Sequence, residues 1–293
     1  MAELRRAAEN ARHADSRFGG GSAPAQSAAR LLVTAAAPLL GGSCTVTVER
    51  EMYSAAAELA RLAGWAAFDT GRHQLARAYF RQALYMAQAG LDAPLTAYVL
   101  ACMSLQATLI GNTGEAVDLA SNAGRTAHSP RLQAFARLVE ARAHARGGAP
   151  RAAGACLADA ERLLDRVANY GLHDEPGWLD FFTHPRLAAD AAEIHRDLHD
   201  PHGCLRWHAQ AAAMAPGDFA RSVGMRLSVV ATAHLQAGEL DQALALGRRS
   251  ADVLKDVASH RAHTYLGAFT RALEPWRNEP AVQAFAGVWS RFG

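Results

Sequence analysis

The 293-residue sequence predicts an all-α protein, and three observations support that prediction. Half of the residues are apolar, and they recur every three or four positions rather than every second position. Runs of valine, isoleucine and threonine, which favour strands, are missing. Glycine, proline and aspartate interrupt the chain so that segments of about 12 to 20 residues remain, the length of ordinary helices. About fourteen helices joined by short turns are therefore expected.

Charge and cysteine content exclude several classes of protein. The formal net charge of +2 is too small for a polybasic nucleic-acid binder. The four cysteines lie far apart without a C-x-x-C pair, which argues against a secreted disulfide framework or a zinc ribbon. No apolar run reaches about eighteen residues, the length that a membrane span needs, and the apolar segment 28–40 lacks the cleavage pattern of an export signal. We expect a cytoplasmic protein without membrane contact.

Five of the helix breakers recur with a period. Gly71, Gly111, Gly148, His199 and Gly238 can be aligned as equivalent turns, and they lie roughly 40 residues apart, close to the tetratricopeptide repeat with small insertions. Alanine and other small residues flank each turn at the positions where two helices of a hairpin must approach closely. A single hairpin cannot bury its apolar face alone, so such hairpins stack. The prediction is a right-handed α-solenoid of tetratricopeptide-like helical hairpins.

We expect one continuous solenoid with three parts. Residues 1–42 are predicted to form an N-terminal helical pair that serves as a linker or cap, 43–258 the repeat array, and 259–293 the C-terminal capping helices. The segment 169–185 is the largest insertion and is expected to be either extra wall or a lid over the groove.

The first helix carries charges of both signs. Arg5, Arg6, Arg12 and Arg17 alternate with acidic residues, among them Asp15. Such mixed charge is typical of a solvated helix face, so the first helix is interpreted as a linker.

Three stretches of sequence resemble a known family. They are SAAAELARLAGWAAFDTGRH (54–73), FTHPRLAAD (182–190) and ATAHLQAGEL (231–240). They are similar to actinobacterial Cro/cI-type transcriptional regulators, in which a helix-turn-helix domain precedes a tetratricopeptide-like region, and the similarity runs from about Leu4 to the end. The resemblance implies a regulatory or partner-binding role, usually in a homodimer. The present chain is expected to lack the DNA-reading domain, so no direct nucleic-acid binding by these residues is expected.

In a tetratricopeptide array the first helix of each hairpin lines the concave face. By resemblance to that repeat, the groove mixes arginines, acids, aromatics and amides: Arg61, Trp65, Phe68, Asp69, Tyr98, Phe135, Arg142, Arg146, Arg186, Glu193, Arg196, Asp197, Thr232 and Gln236. Guanidinium groups suit carboxylates and phosphates, and aromatic faces suit apolar groups. The expected ligand is a peptide, an acidic small molecule or a partner protein. The alternative is that Glu193, Asp197 and Asp69 pair with the arginines, which then only solvate a wide surface.

A histidine-rich segment is the candidate for a metal site. His195 and His199, and likewise Cys204 and His208, stand four residues apart, the spacing that lets two helical side chains share a metal. However, Asp200-Pro201 breaks the helix between the two pairs, and several of these residues occupy packing positions of the repeat. Packing histidines are therefore the favoured interpretation, with a metal site as the alternative.

The sequence leaves three functions open. The favoured one is the sensing or protein-binding module of a bacterial transcriptional regulator, working through a shift in repeat packing when a ligand binds. The alternatives are a stand-alone adaptor that binds another protein, and a metal-dependent enzyme that uses the cluster from His184 to His208. The sequence carries no G-x-S-x-G, H-E-x-x-H, P-loop or G-x-G-x-x-G motif, so no catalytic residue and no cofactor is predicted. Replacement of Arg142 and Arg146 by alanine is expected to abolish the ligand response without changing melting.

Overall fold

A computed structural model describes residues 2–39, 44–170, 176–211 and 216–289, and their regular secondary structure is entirely helical. This confirms the all-α prediction. The helices are α1 (Ala2–Phe18), α2 (Ala23–Leu31), α3 (Ala37–Leu39), α4 (Val46–Asp69), α5 (His73–Ala89), α6 (Ala93–Leu109), α7 (Thr113–Thr126), α8 (Pro130–Arg146), α9 (Pro150–Tyr170), α10 (His184–Asp197), α11 (Pro201–Ala211), α12 (Pro216–Gln236), α13 (Leu240–Leu254), α14 (His260–Ala272) and α15 (Pro280–Trp289). A π-helical turn, Leu32–Ala36, joins α2 to α3, and short 3-10 turns span Gly177–Leu179 and Glu274–Trp276.

The five aligned breakers are the turns of five helical hairpins. Gly71, Gly111, Gly148, His199 and Gly238 all have positive φ, between 57° and 89°. After each turn an N–H donates to the carbonyl five residues earlier, over 2.8–2.9 Å. This is the left-handed helix end that glycine favours because it carries no Cβ. The predicted equivalence of the five turns is therefore confirmed, including the one turn occupied by histidine.

Small residues let the two helices of a hairpin approach closely. In the α4/α5 hairpin a Cβ added to Gly64 would lie 2.7 Å from the ring of Phe80, which is fully buried. Ala60 and Ala67 on α4 and Ala76 on α5 are buried beside it. The spacing of short side chains in the sequence thus determines how near the two axes come.

The hairpins stack with one helix of each on the inside. The inner helices α4, α6, α8, α10, α12 and α14 each contact the next in order, and α5, α7, α9, α11 and α13 pair with them as outer helices. The stack then returns on itself, because α14 also contacts α4 and α1 lies against both α4 and α12. Backbone hydrogen bonds of 2.8 Å from Ala258 to Phe18 and from Gly21 to Ala258 fasten this junction. The inner wall therefore surrounds a lumen instead of forming an open groove along its whole length.

The interpretation of α1 as a purely solvated linker is wrong. Its Ala8 and Ala11 are buried, and so is Asp15, whose carboxylate accepts two hydrogen bonds of 2.7 Å from Arg221 on α12. Arg5 and Arg6 do face outward as expected. The charge pattern of α1 could not show that Asp15 is buried, because its partner Arg221 lies more than two hundred positions away in the sequence.

The described part of the long insertion adds wall to the lumen. Leu179 and Phe182 are buried in the core, and Trp178 stacks on an inner helix. Residues 171–175 of the insertion lie outside the described part of the chain. Of the helices in the described residues, none combines the length and apolar character that a membrane crossing requires.

Candidate functional site

A cavity of about 740 Å³ lies in the lumen between the N-terminal helix and the inner wall. Side chains of α1, α4, α6, α8, α10 and α12 line it, together with the 176–183 part of the insertion. One helix from almost every repeat thus contributes to a single space. The cavity is of the size that small-molecule sites have in proteins, about 300–1,000 Å³.

Aromatic side chains form one side of this cavity. The rings of Tyr98 and Trp178 stack with centroids 4.6 Å apart and an interplanar angle of 9°. Phe135 lies 5.7 Å from Tyr98, and Phe181 meets Phe135 edge to face, also at 5.7 Å. Trp65 completes the aromatic surface. Tyr98 and Phe135 are buried against these neighbours, so the partly exposed Trp65, Trp178 and Phe181 are the rings that offer apolar, polarisable contact area to a flat ligand.

Arg61 differs from the other arginines of the cavity. Its side chain is 3% exposed, and its Nε and Nη2 atoms make no hydrogen bond in the described structure. Its guanidinium carbon lies 4.8 Å from the centre of the Tyr98 ring, a cation–π contact. Burying a cation without a hydrogen-bonded anion is costly. Glu58 and Asp15 lie near enough to attract this charge, but neither supplies the acceptor that Nε and Nη2 lack.

Three other arginines of the cavity, the buried Arg221 and the partly exposed Arg12 and Arg186, have carboxylate partners. Arg12 pairs with Glu58 at 3.1 Å, and Arg186 donates to Asp190 over 2.8 Å. Arg221 binds Asp15 and lies 3.1 Å from Asp69. Among the described lining residues, Arg61 is thus the buried cation left over for a ligand.

The cavity also contains a cysteine of low reactivity. Cys102 is 1% exposed and lies next to Arg61. Burial raises its pKa to about 11, although the nearby guanidinium acts in the opposite direction. The side chain is a neutral thiol at physiological pH and contributes contact area rather than a nucleophile.

A second part of the lumen is filled by buried ion pairs. Arg142 on α8 donates to Asp190 at 2.6 Å and to Glu193 at 2.7 Å, both on α10. It also donates to the hydroxyl of Tyr265 on α14 at 3.1 Å, and that hydroxyl donates to Glu193 at 2.6 Å. Three inner helices are thereby joined across the lumen.

The same network continues along α10. Arg146 lies 3.0 Å from Asp197, and Arg196 donates to Asp197 over 2.7 Å. Burial raises the pKa of Glu193, but the guanidinium groups of Arg142, Arg196 and Arg146 outweigh burial and lower it to about 2. Every acid and arginine of this network is thus matched, which leaves little opportunity for an external ligand.

Asp69 anchors the junction of the ring. It is fully buried and accepts hydrogen bonds from the Gly20 N–H at 2.8 Å and from Arg261 at 3.0 Å. Burial raises its pKa, but Arg221, Arg261 and the Gly20 N–H together lower it below its ordinary value. Arg261 also lies over the rings of Trp65 and Phe68, at 5.1 and 5.4 Å.

The fourteen side chains predicted for the groove separate into groups. Arg61, Trp65, Tyr98, Phe135 and Arg186 line the cavity, whereas Arg142, Arg146, Glu193, Arg196 and Asp197 form the ion-pair network. Phe68 and Asp69 belong to the junction. The Thr232 hydroxyl donates to a carbonyl of its own helix, and the Gln236 amide donates to the Arg196 carbonyl.

The sequence also allowed the alternative that acids of the groove neutralise its arginines. The structure shows such pairing for Arg142, Arg146 and Arg196, with Glu193 and Asp197 as partners. Asp69 pairs with other arginines, Arg221 and Arg261. The double alanine replacement is therefore expected to lower the melting temperature as well, because it removes Arg142, the closest cation to both Asp190 and Glu193, and leaves these buried carboxylates only partly paired.

The histidine-rich segment does not converge on one point. His195 binds Asp200 at 2.8 Å, and His199 lies 3.3 Å from the Gln236 amide. Cys204 is buried between helices with a pKa raised by burial to about 12, and burial lowers the pKa of His208 to about 4. His184, at the start of α10, pairs instead with Asp165 at 2.8 Å. These side chains serve packing and capping.

The structure brings together a different set of possible metal ligands. One ligand atom each of Glu140, His144 and Cys156 lies within 4.8 Å of the others, between α8 and α9. Arg137 donates to Glu140 over 2.8 Å, and its positive charge already neutralises this cluster. The only sequence signal was the four-residue spacing of Glu140 and His144.

Several cavity residues escaped the repeat-based prediction. Cys102 stands four residues after the predicted groove residue Tyr98, so a wider stripe on α6 would have included it. Arg221 lies near the start of α12, eleven residues before Thr232, the nearest groove residue predicted on that helix. Trp178 and Phe181 come from the insertion, and the α1 residues from outside the array. No repeat pattern could assign these to the same space.

Comparisons with known proteins show no family for this chain. No protein-family model and no curated protein matches the chain. A crystal structure of BtubC (BKLC) from P. vanneervenii resembles it with a TM-score of 0.46 and 15% sequence identity, over 85% of this chain and 90% of that one. At this level the likeness carries no functional argument.

Proposed function

We propose that the chain is a ligand-sensing module that takes up an acidic small molecule in the lumen cavity and serves a bacterial transcriptional regulator. The observation that carries the proposal is Arg61, a buried guanidinium at the wall of a 740 Å³ cavity, two of whose nitrogens, Nε and Nη2, have no hydrogen-bond partner. A carboxylate or phosphate placed there would supply the missing acceptor. The regulatory role follows from the sequence resemblance described above.

A small molecule fits this cavity better than a long peptide or a folded partner. The α1 helix lies across the lumen and is held by the Arg12–Glu58 and Asp15–Arg221 ion pairs. A second part of the lumen is filled by the Arg142 network. A peptide long enough to run through the array would have to displace both sets of buried contacts.

The position of α1 supports a route from ligand to response. Arg12 and Asp15 line the cavity and also bind α4 and α12, which belong to the first and last repeat hairpins of the array. A ligand that changes the balance of these pairs would change how α1 sits against the ring. A sensing mechanism requires that the ligand make different contacts in two states of the protein, and a shift of α1 would provide those two states.

Thermal unfolding with a panel of small acids tests the proposal. Acids that occupy the cavity are expected to raise the unfolding temperature of the wild-type chain because they bind the folded state. The Arg61→Met variant should lose this shift, while Arg50→Met, the same change at an exposed position of α4, should keep it. A panel in which every stabilising acid acts equally on Arg61→Met would contradict the proposal.

The homodimer and the adaptor role are separate predictions. Light scattering coupled to size-exclusion chromatography measures the molar mass of the full chain, and twice the 31.2 kDa monomer mass is expected. Capture of a protein partner that binds Arg61→Met and wild type equally, together with no response to acids, would favour the adaptor.

A further inference from the structure

We infer that the occupant of the cavity carries a single negative charge on a flat, aromatic-sized apolar body, as an aromatic monocarboxylate does. This inference rests on the proposed function and specifies the chemistry of the same site. Two features of the cavity support this inference. They are the number of buried arginines that donate to no carboxylate, and the distribution of aromatic rings around Arg61.

The charge count favours one anionic group. Arg12, Arg186 and Arg221 already donate to carboxylates, although the buried Arg221 keeps one nitrogen, Nε, without a partner. Among the described lining residues, Arg61 is thus the buried guanidinium that donates to no carboxylate. Asp15 and Asp180 also line the cavity. Asp15 and Glu58 lie within electrostatic range of Arg61, so a second negative charge on a ligand held by Arg61 would be repelled by them.

The rings next to Arg61 favour a flat body. Tyr98 lies between the Arg61 guanidinium and the Trp178 ring, and Phe135 and Phe181 continue the aromatic surface. Leu105 adds an aliphatic contact on the same inner helix as Tyr98. A planar ring system can offer its face or edge to these side chains while its carboxylate reaches Arg61.

Three compounds with one ring system separate charge from shape. Naphthoate has one carboxylate, naphthamide replaces it with a neutral amide of the same size, and naphthalene dicarboxylate adds a second charge. Isothermal titration calorimetry of the full chain at neutral pH is expected to show that naphthoate binds at least about tenfold more tightly than either of the other compounds. A tenfold difference in Kd is the size expected from part of the free energy of one charge-assisted hydrogen bond.

Variants of Arg61 assign the effect to its guanidinium. Arg61→Met should weaken naphthoate binding by about 10- to 100-fold and leave naphthamide binding unchanged. Arg61→Lys, which keeps the charge but loses the planar fork, should fall between wild type and Arg61→Met. Arg50→Met on the exposed part of the same helix should bind all three compounds as wild type does.

The outcomes separate this inference from the function on which it rests. If naphthamide binds as tightly as naphthoate, or Arg61→Met weakens both equally, the cavity takes up ligands but the monoanion inference is wrong. If the dicarboxylate binds more tightly than naphthoate, the single-charge argument is wrong. If none of the three compounds binds, both the inference and the proposed uptake into the cavity are overturned.

Discussion

The same substitution at two buried arginines is expected to change stability in opposite directions. Arg61 and Arg142 are both buried on inner helices, but Arg142 is held by Asp190, Glu193 and Tyr265, whereas two nitrogens of Arg61 have no hydrogen-bond partner. Methionine keeps most of the apolar volume of arginine and removes the charge. Arg61→Met therefore removes a buried group with unsatisfied donors, whereas Arg142→Met takes the closest cation away from two buried carboxylates, leaving Asp190 with Arg186 and Glu193 with the more distant Arg196 and Arg146.

The expected magnitudes follow from these contacts. An unsatisfied buried polar group costs about 1–3 kcal/mol, and the cation–π contact that Arg61 makes with Tyr98 offsets about 0.5–2 kcal/mol of that cost. Arg61→Met should thus raise the free energy of unfolding by about 0 to 2 kcal/mol. Breaking a buried pair by removing one partner costs about 3–5 kcal/mol, so Arg142→Met should lower it by that amount.

Urea denaturation without ligand, followed by circular dichroism, measures both effects against wild type. Arg50→Met controls for the change of residue type at an exposed site. The reasoning is refuted if Arg61→Met destabilises the chain as much as Arg142→Met does, because Arg61 would then have a partner in the folded protein. Equal stability of wild type and Arg142→Met would refute the role of the ion-pair network.

Three further predictions concern acid, thiol chemistry and packing. Glu193 has a folded-state pKa of about 2 against an ordinary 4.5, so its contribution to stability is present above pH 4.5 and is lost as the pH falls toward 2; Glu193→Gln should flatten that part of a stability–pH curve. Maleimide should label the exposed Cys44 at least about 100-fold faster than the buried Cys102, as peptide mass spectrometry can measure, and equal rates would show that the lumen is open to reagent. Gly64→Ala should lower the urea midpoint, at a cost of about 1–3 kcal/mol, because the added Cβ would meet a phenylalanine ring. Gly154, on α9, has open space around it, so Gly154→Ala should not lower the midpoint. Equal effects of the two substitutions would show that helix propensity alone determines the change in stability.

Local signals in the sequence were sufficient for the hairpins. Turns at Gly71, Gly111, Gly148 and Gly238 require a left-handed backbone that glycine adopts without strain, and apolar residues between them repeat with helical spacing. Both signals act within one or two helical turns, so they can be recognised without knowledge of the rest of the molecule. His199 joined this set only because it aligned with the other turns.

Only part of the candidate site could be predicted from local signals in the sequence. The repeat register placed Arg61, Trp65 and Tyr98 on inner helices, and they line the cavity. It also placed Arg142 there, but position on the inner face says nothing about whether an acid from another repeat lies opposite. A free arginine and a neutralised one have the same sequence pattern.

The sequence by itself determined that this chain is helical and where its hairpins turn, because spacing and backbone preference act over a few residues. Which helix of each hairpin faces inward was implied by the resemblance to the tetratricopeptide repeat. Only the tertiary structure decided that the array returns on itself, that α1 covers the lumen, and that two nitrogens of Arg61 have no acceptor while Arg142 and Arg221 donate to carboxylates. Those outcomes depend on contacts such as that between Asp15 and Arg221, whose partners lie 206 positions apart. Their strength comes from burial of charge, which no local pattern records.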